Sequence, residues 1–381
     1  LVSMMVSHLG WGLPVGPTVL LVFKTFMLTD AASAFVFLSG LTAGIVYGRK
    51  WLKPTARHPR HAVLARALLV YKHHAFLVLV VSGLALLAAQ TGQKFWMFAA
   101  YEPAPTLFGM LSLLMVAGGW CLDILPMYVV FLLLTPVALS AIVRGRAWMV
   151  AGGAATAWLL GQIGFGDFAW NAIAQTTGLG DRGIHLGIYF NRLSWSALYF
   201  GGIMIGMAFV MGKLDLSRLK HPKFLSVMLL SIVTIAMCMV ALAVSRKLSG
   251  TPYEAVLALL MSKPNLGILS LLNFCAALFA ICWLLVAGVS SDFPPIRLLS
   301  RAVQRVVLWR PLVLLGQHSL PVFTFHLLLV YAFYFFVDTG SINMAAAQVI
   351  IAIGVIALFI PAGLNMRAGN ARRQLLPTPG R

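Results

Sequence analysis

Long apolar runs broken by short basic loops repeat along all 381 residues of this chain. From Ala31 to Tyr47 every residue is apolar or small, with Asp30 in front and Arg49 and Lys50 behind. At a rise of about 1.5 Å per residue such a run just crosses a hydrocarbon core, so Thr29–Arg49 predicts a transmembrane helix. Its basic end belongs inside, because cytoplasmic loops hold the excess of Lys and Arg. Asp30 then stands at the outer end. An acid at the lip of a membrane helix is costly unless it has a partner or a task, so it begins the search for a site.

The same pattern threads the rest of the chain. Leu1–Leu13 is apolar but too short to span, and without a charged flank or cleavage motif it does not read as a signal peptide. It reads instead as the outward half of a first helix whose upstream turns precede Leu1, ending at the breakers Gly10, Gly12, Pro14, Gly16 and Pro17. After a short amphipathic piece with Lys24 and the descending second helix comes an inner loop with Lys53, Arg57 and Arg60. Further helices are expected over 66–90, 123–143, 148–163, 193–211, the stretch ending at Ser245, 266–286, 312–337 and the stretch ending at Asn365. Residues 106–118 suggest a partly re-entrant piece. Arg297, Arg301, Arg305 and Arg310, four and five residues apart, predict an interfacial basic helix over 290–311. The longest outer loop holds Asp167, Trp170, Asn171, Asp181, Arg182 and His185, and the inner tail carries Arg367, Arg372 and Arg373.

The expected fold is therefore all-α: one polytopic membrane helix bundle over residues 1–381, with about ten transmembrane helices and both termini cytoplasmic. Composition agrees, at 61% hydrophobic and only 10% charged, against about 25% charged for an ordinary soluble domain. A formal charge of +19 would suggest nucleic acid in a soluble protein. Here most of the basic residues sit in loops on the inner side, where topology accounts for them, and there is no basic face interleaved with aromatics; a nucleic-acid partner is excluded. The partner these features require is the lipid bilayer. Cys121, Cys238, Cys275 and Cys282 show no ligand spacing and read as small buried hydrophobes, so no metal is expected. No repeat or inverted symmetry of the kind many transporters carry is visible.

Most of the acids, by contrast, fall on the outer side. His8 lies near the outer end of the first helix, Asp30 opens the second, and Asp123 opens the fourth. Topology alone brings the three to one membrane face. A histidine flanked by carboxylates is a general-base arrangement, in which the acid fixes the tautomer and steadies the imidazolium. The plainer reading is that His8 is an interfacial polar group and that each acid caps a helix N-terminus. His326 and Asn273 are polar groups at membrane depth, suited to a structural hydrogen bond or a substrate contact. His73 and His74, beside Tyr71 and Lys72, read first as interfacial anchors. Trp96, Tyr101, Trp120, Tyr189 and Tyr253 fit an aromatic belt, whereas Trp170 beside Asp167 and Asn171 also fits sugar binding.

Four blocks of the chain, LVSMMVSHLG, TDAASAFVFLSGLTAGIVYGR, LDILPMYVV and LGQHSLPVFTFH, resemble successive signatures of the OpgC family. That family comprises bacterial inner-membrane acyltransferases that place succinyl groups on osmoregulated periplasmic glucans. The resemblance runs from the first helix to the ninth. It implies that His8 corresponds to the catalytic histidine and Asp30 and Asp123 to the signature acids. Two departures are visible: the Asp-x-x-Arg-Gly lead-in to the first helix is missing, and Ser33 stands where an acid is expected.

The favoured function is then transfer of an acyl group, implied to be succinyl, from a cytoplasmic acyl-CoA-type donor to a hydroxyl of a periplasmic glucan. Acyl-CoA is a co-substrate and no resident cofactor is expected. His8 would take the hydroxyl proton with help from Asp30 or Asp123. Arg144, Arg146 and Lys72 would hold the donor's phosphates, and Trp170, Asp167, Asn171 and His326 would contact substrate. The rival readings are a polysaccharide or anion transporter and a structural subunit of a glucan-synthesis complex.

Overall fold

The computed structural model describes residues 1–14, 16–22, 25–53, 59–181, 183–186 and 188–375, with side chains as far as 367. Lys24, Arg57 and Arg182, and the side chains of Arg372 and Arg373, lie outside the described residues. Within them there are helices and no strands.

Helix α1 (Val2–Leu9) leads through a 3-10 turn, Pro17–Leu21, to α2 (Ala31–Leu52). Asp30 starts α2: its Oδ1 accepts the amides of Ala32 at 3.1 Å and Ser33 at 3.3 Å, two of the donors that a helix start leaves orphaned. Helix α3 (Arg60–Thr91) follows, then the short α4 (Pro105–Leu113) where a re-entrant piece was expected. A tight turn at Gly145 joins α5 (Ile124–Val143) to α6 (Ala147–Gln162). The long connection beyond contains α7 (Phe165–Thr177), and Asn191 then caps α8 (Arg192–Val210). The remaining helices are α9 (Lys223–Lys247), α10 (Pro252–Leu260), α11 (Ile268–Val286), α12 (Pro294–Val307), α13 (Arg310–Gln317), α14 (Ser319–Phe336), α15 (Met344–Ala357) and α16 (Phe359–Leu375).

Eight described helical stretches are long and apolar enough to cross a membrane. The other two expected crossings correspond to α6, with 16 residues, and α1, with 8. The expected ninth helix breaks at His318 into α13 and α14. The expected tenth bends at Leu358, where α15 meets α16. The stretch expected to form an interfacial helix holds α12: Arg297, Arg301 and Arg305 lie along it, Leu298, Leu299 and Val306 are exposed, and Arg310 begins α13 instead.

The tightest helix pair is α2 against α8, and glycine is the reason. A Cβ on Gly44 would stand 2.6 Å from the Ile203 carbonyl oxygen, and one on Gly206 2.5 Å from that of Leu41. Gly40, Gly44 and Gly48 on α2 thus form a groove at four-residue spacing that receives Gly202 and Gly206, the small-residue packing that membrane helices use. Outward, α3 and α9 expose large apolar side chains such as Leu68, Leu79, Leu230 and Met237. An exposed apolar band of that extent marks the face that meets lipid.

Candidate active site

Helix α1 is pinned by a tyrosine. The Tyr334 hydroxyl lies 2.9 Å from the His8 carbonyl oxygen and 2.8 Å from that of Leu9, and accepts the Gly12 amide at 2.9 Å. Carbonyls at a helix end are otherwise orphaned, so α14 holds the end of α1, and His8 with it.

The His8 ring is held on both sides. Its Nδ1 lies 3.0 Å from Nε2 of His326, with one proton between the rings, and its Nε2 lies 3.5 Å from the Cys121 thiol. His326 is fully buried within α14, so the pair lies inside the bundle rather than on its rim. Its other nitrogen, Nδ1, makes no well-formed hydrogen bond, with the Phe323 carbonyl of the preceding turn as a weak acceptor. Two residues before His326, the Thr324 hydroxyl meets His73 Nδ1 at 2.8 Å. His74, 1% exposed, meets the Ser112 carbonyl at 2.9 Å. Both α3 histidines therefore face partners inside the bundle, and the interfacial-anchor reading is corrected.

Neither acid expected beside His8 is bonded to it. Asp30, besides capping α2, forms an ion pair with Lys263. Burial opposes the charge on Lys263, but the Asp30 carboxylate outweighs it and raises the ammonium above its ordinary range. Lys263 also lies 5.3 Å from the Tyr189 ring centre and 5.6 Å from that of Phe190, a cation–π setting. The charges of Lys263 and Asp30 both act on the His8 ring from nearby. Asp123, 1% exposed, spends Oδ2 on the amides of Tyr189 and Phe190, each at 2.8 Å. Burial raises its carboxyl above the usual range, against the pull of those amides. The expectation of a carboxylate within hydrogen-bond reach of His8 is thus corrected. Asp30 goes to its own helix start and to Lys263, Asp123 goes to the Tyr189–Phe190 backbone rather than to the start of α5, and His326 takes the place at the ring.

The loop that presents Lys263 is clamped from two helices, α6 and α8. The Trp195 indole donates to the Pro264 carbonyl at 3.0 Å, the Trp158 indole to Leu266 at 2.9 Å, and the Asn191 amide to Pro264 at 2.9 Å. Asn273 on α11 steadies the other partner: its Oδ1 accepts from the amides of Leu28 at 3.1 Å and Thr29 at 3.3 Å, just ahead of Asp30.

Tryptophans connect His8 with the surface. Trp120 is tilted over His8 at 5.8 Å between ring centres, Trp96 meets Trp120 edge-on at 4.6 Å, and Trp11 stacks on Trp96 at 5.9 Å. Trp11 is 64% exposed and Trp96 50%. The Tyr331 hydroxyl donates to the Trp120 carbonyl at 2.6 Å and fixes the inner end of the stack.

The other expected site residues lie elsewhere. Arg144 ends α5 and Arg146 precedes α6, both exposed, about 30 Å from Asp123 along a 20-residue helix. Lys72 is exposed on α3. Asp167, Trp170 and Asn171 lie on α7, which packs against α6. Sequence reasoning missed Lys263, Cys121, Trp11 and Tyr334. Tyr334 had a signal, since it follows His326 by about two turns on the same apolar helix. Lys263 had none, because its partner lies 233 positions away in the chain by the residue numbers. No group of residues suited to holding a metal ion is found among the described residues.

No curated protein and no solved structure gave a match to the chain. The sequence pattern described as OpgC protein matches residues 1–369, nearly the whole length. A match of that extent over this histidine-centred bundle shows that the chain belongs to the OpgC family.

Proposed function

We propose that this protein is a bacterial inner-membrane O-acyltransferase with both termini cytoplasmic. It moves an acyl group, succinyl by the family's pattern, from a cytoplasmic acyl-CoA-type donor to a hydroxyl of a periplasmic glucan. The observation that supports this most is the setting of His8: a partly exposed imidazole inside the bundle, oriented by His326 at 3.0 Å and joined to the surface by a chain of tryptophans. A sugar ring lays its C–H face on an aromatic ring, so Trp11 and Trp96 suit a glucan chain that delivers one hydroxyl to His8.

In the transfer, His8 Nε2 is the general base. It takes the hydroxyl proton as the oxygen attacks the activated acyl carbonyl and returns that proton to the departing thiolate. His326 shares the proton on Nδ1 and so fixes which nitrogen of His8 is free. Lys263, held by Asp30, supplies positive charge on the side where the tetrahedral oxyanion forms. Asp123 shapes the wall by anchoring the Tyr189–Phe190 backbone. Arg144, Arg146 and Lys72 attract the phosphates of the donor, and Asp167, Trp170 and Asn171 meet glucan units beyond the reacting one. Acyl-CoA is consumed as a co-substrate and released as free CoA, and the chemistry calls for no resident cofactor.

The test is gradient-free turnover. Purified protein in liposomes, given labelled succinyl-CoA and a linear glucan, is expected to yield glucan ester and free CoA. Movement of either substrate across the membrane without ester formation would contradict the proposal and support a transporter.

A further inference from the structure

Cys121 is a nucleophile in the site that the mechanism above leaves unused. Its Sγ lies 3.5 Å from Nε2 of His8, the same nitrogen that has to act as base, and His8 is in turn held by His326 at 3.0 Å. Nucleophile, base and orienting group in series are the arrangement that activates a thiol or hydroxyl for attack. The backbone is distinctive as well. Cys121 has φ +60°, in the left-handed region that side chains other than glycine rarely adopt. It stands in the turn before α5, with the Trp120 carbonyl fixed by Tyr331 and the amides of Ile124 and Leu125, the first two residues of α5, close in sequence. A nucleophile on a sharp turn ahead of a helix N-terminus has backbone donors at hand for an oxyanion. Burial raises the Cys121 thiol above its ordinary range, so it is no standing thiolate and depends on the neighbouring imidazole for its proton. The other cysteines are placed differently: Cys238 meets the Leu269 carbonyl, and Cys275 and Cys282 lie along α11.

We infer that Cys121 carries the acyl group as a thioester between donor and acceptor, in a Cys121–His8–His326 relay; the inference rests on the acyltransferase reading. His8 removes the Cys121 proton as sulfur attacks the acyl-CoA carbonyl. The C–S bond to CoA breaks and CoA leaves as the thiol with that proton. The glucan hydroxyl then attacks the new thioester, His8 takes its proton and returns it to the departing Cys121 sulfur. One thioester replaces another in the first half, so little of the donor's activation is lost. The relay lets CoA leave on its own side before a glucan engages from the other.

The test is to give the full-length protein in liposomes radiolabelled succinyl-CoA without glucan, quench it, and map the label by peptide mass analysis. Label on Cys121, released by neutral hydroxylamine and chased into glucan ester when glucan is added, is the expected result. Cys121→Ala and Cys121→Ser should lose that thioester label and at least about a hundredfold in transfer rate, and His8→Ala should lose the label too. Wild-type protein that makes glucan ester while Cys121 stays unlabelled would overturn the inference. So would a Cys121→Ser variant transferring at the wild-type rate. Absence of any glucan ester from the wild type would instead overturn the acyltransferase reading itself.

Discussion

His8 Nδ1 and His326 Nε2 lie 3.0 Å apart although 318 positions separate them in the chain. The contact joins the first described helix to α14 inside the bundle, and it makes a neutral imidazole, not a carboxylate, the orienting partner of His8. Such a partner fixes the ring and its tautomer but adds no fixed negative charge to steady an imidazolium. His326→Ala should therefore lower kcat about 10- to 100-fold, less than the 10²- to 10⁴-fold that a positioned base contributes. The glucan KM should move little, and His326→Gln should recover part of the loss by restoring a hydrogen bond. Initial rates over a glucan series check this; a change confined to KM would make His326 a substrate contact instead.

Lys263 and Asp30 should behave as a coupled pair. Both side chains keep some exposure, so solvent screening holds their coupling to about 1 kcal/mol in a double-mutant cycle. Lys263→Met should nevertheless slow transfer in its own right, whereas Asp30→Asn should act mainly by freeing Lys263, since an Asn side chain still caps α2. Equal, additive losses in the single and double variants would show the two to be independent.

Gly44 should tolerate no larger residue. Gly44→Val forces α2 off the Ile203 carbonyl, and overpacking of this kind costs about 1–3 kcal/mol. Thermal unfolding in detergent should register the loss at Gly44. Gly152→Ala, in open space on α6, should leave the midpoint unchanged.

The bundle was legible because a membrane allows few alternatives. Ala31–Tyr47 could hardly be anything but a spanning helix, and Asp30 announced its start. Gly40, Gly44 and Gly48 were also in plain view, yet only the backbone of α8 shows what they are for. The site was legible one residue at a time. His8, His326, Asp30 and Asp123 each stood out as polar groups in apolar surroundings, but which touched which depended on helix rotation. A helix turns each side chain by about 100° per residue, and no local pattern fixes that angle against a partner hundreds of positions away. The sequence therefore paired His8 with an acid, where the fold pairs it with His326 and gives the acids to Lys263 and to backbone amides.

Reversing the charge of Arg144 and Arg146 together should raise the KM for acyl-CoA several-fold with little change in kcat, since both lie on the face opposite the acids of the site. Donor titration at saturating glucan checks this, and unchanged donor kinetics would remove them from the donor's path. The same orientation predicts a cytoplasmic reporter signal for a fusion at Lys213 and an external one at Gly178. Matching signals at the two positions would contradict it.

The central claim is that His8 is the base of an acyl transfer, and the rate of glucan ester formation by His8→Ala in liposomes tests it most directly. The substitution removes the imidazole while Tyr334 still holds α1 through the backbone carbonyls of His8 and Leu9, so the variant should fold and insert. Its rate should fall about 10²- to 10⁴-fold, with acyl-CoA binding retained. A folded His8→Ala protein that esterifies glucan at the wild-type rate would contradict the account.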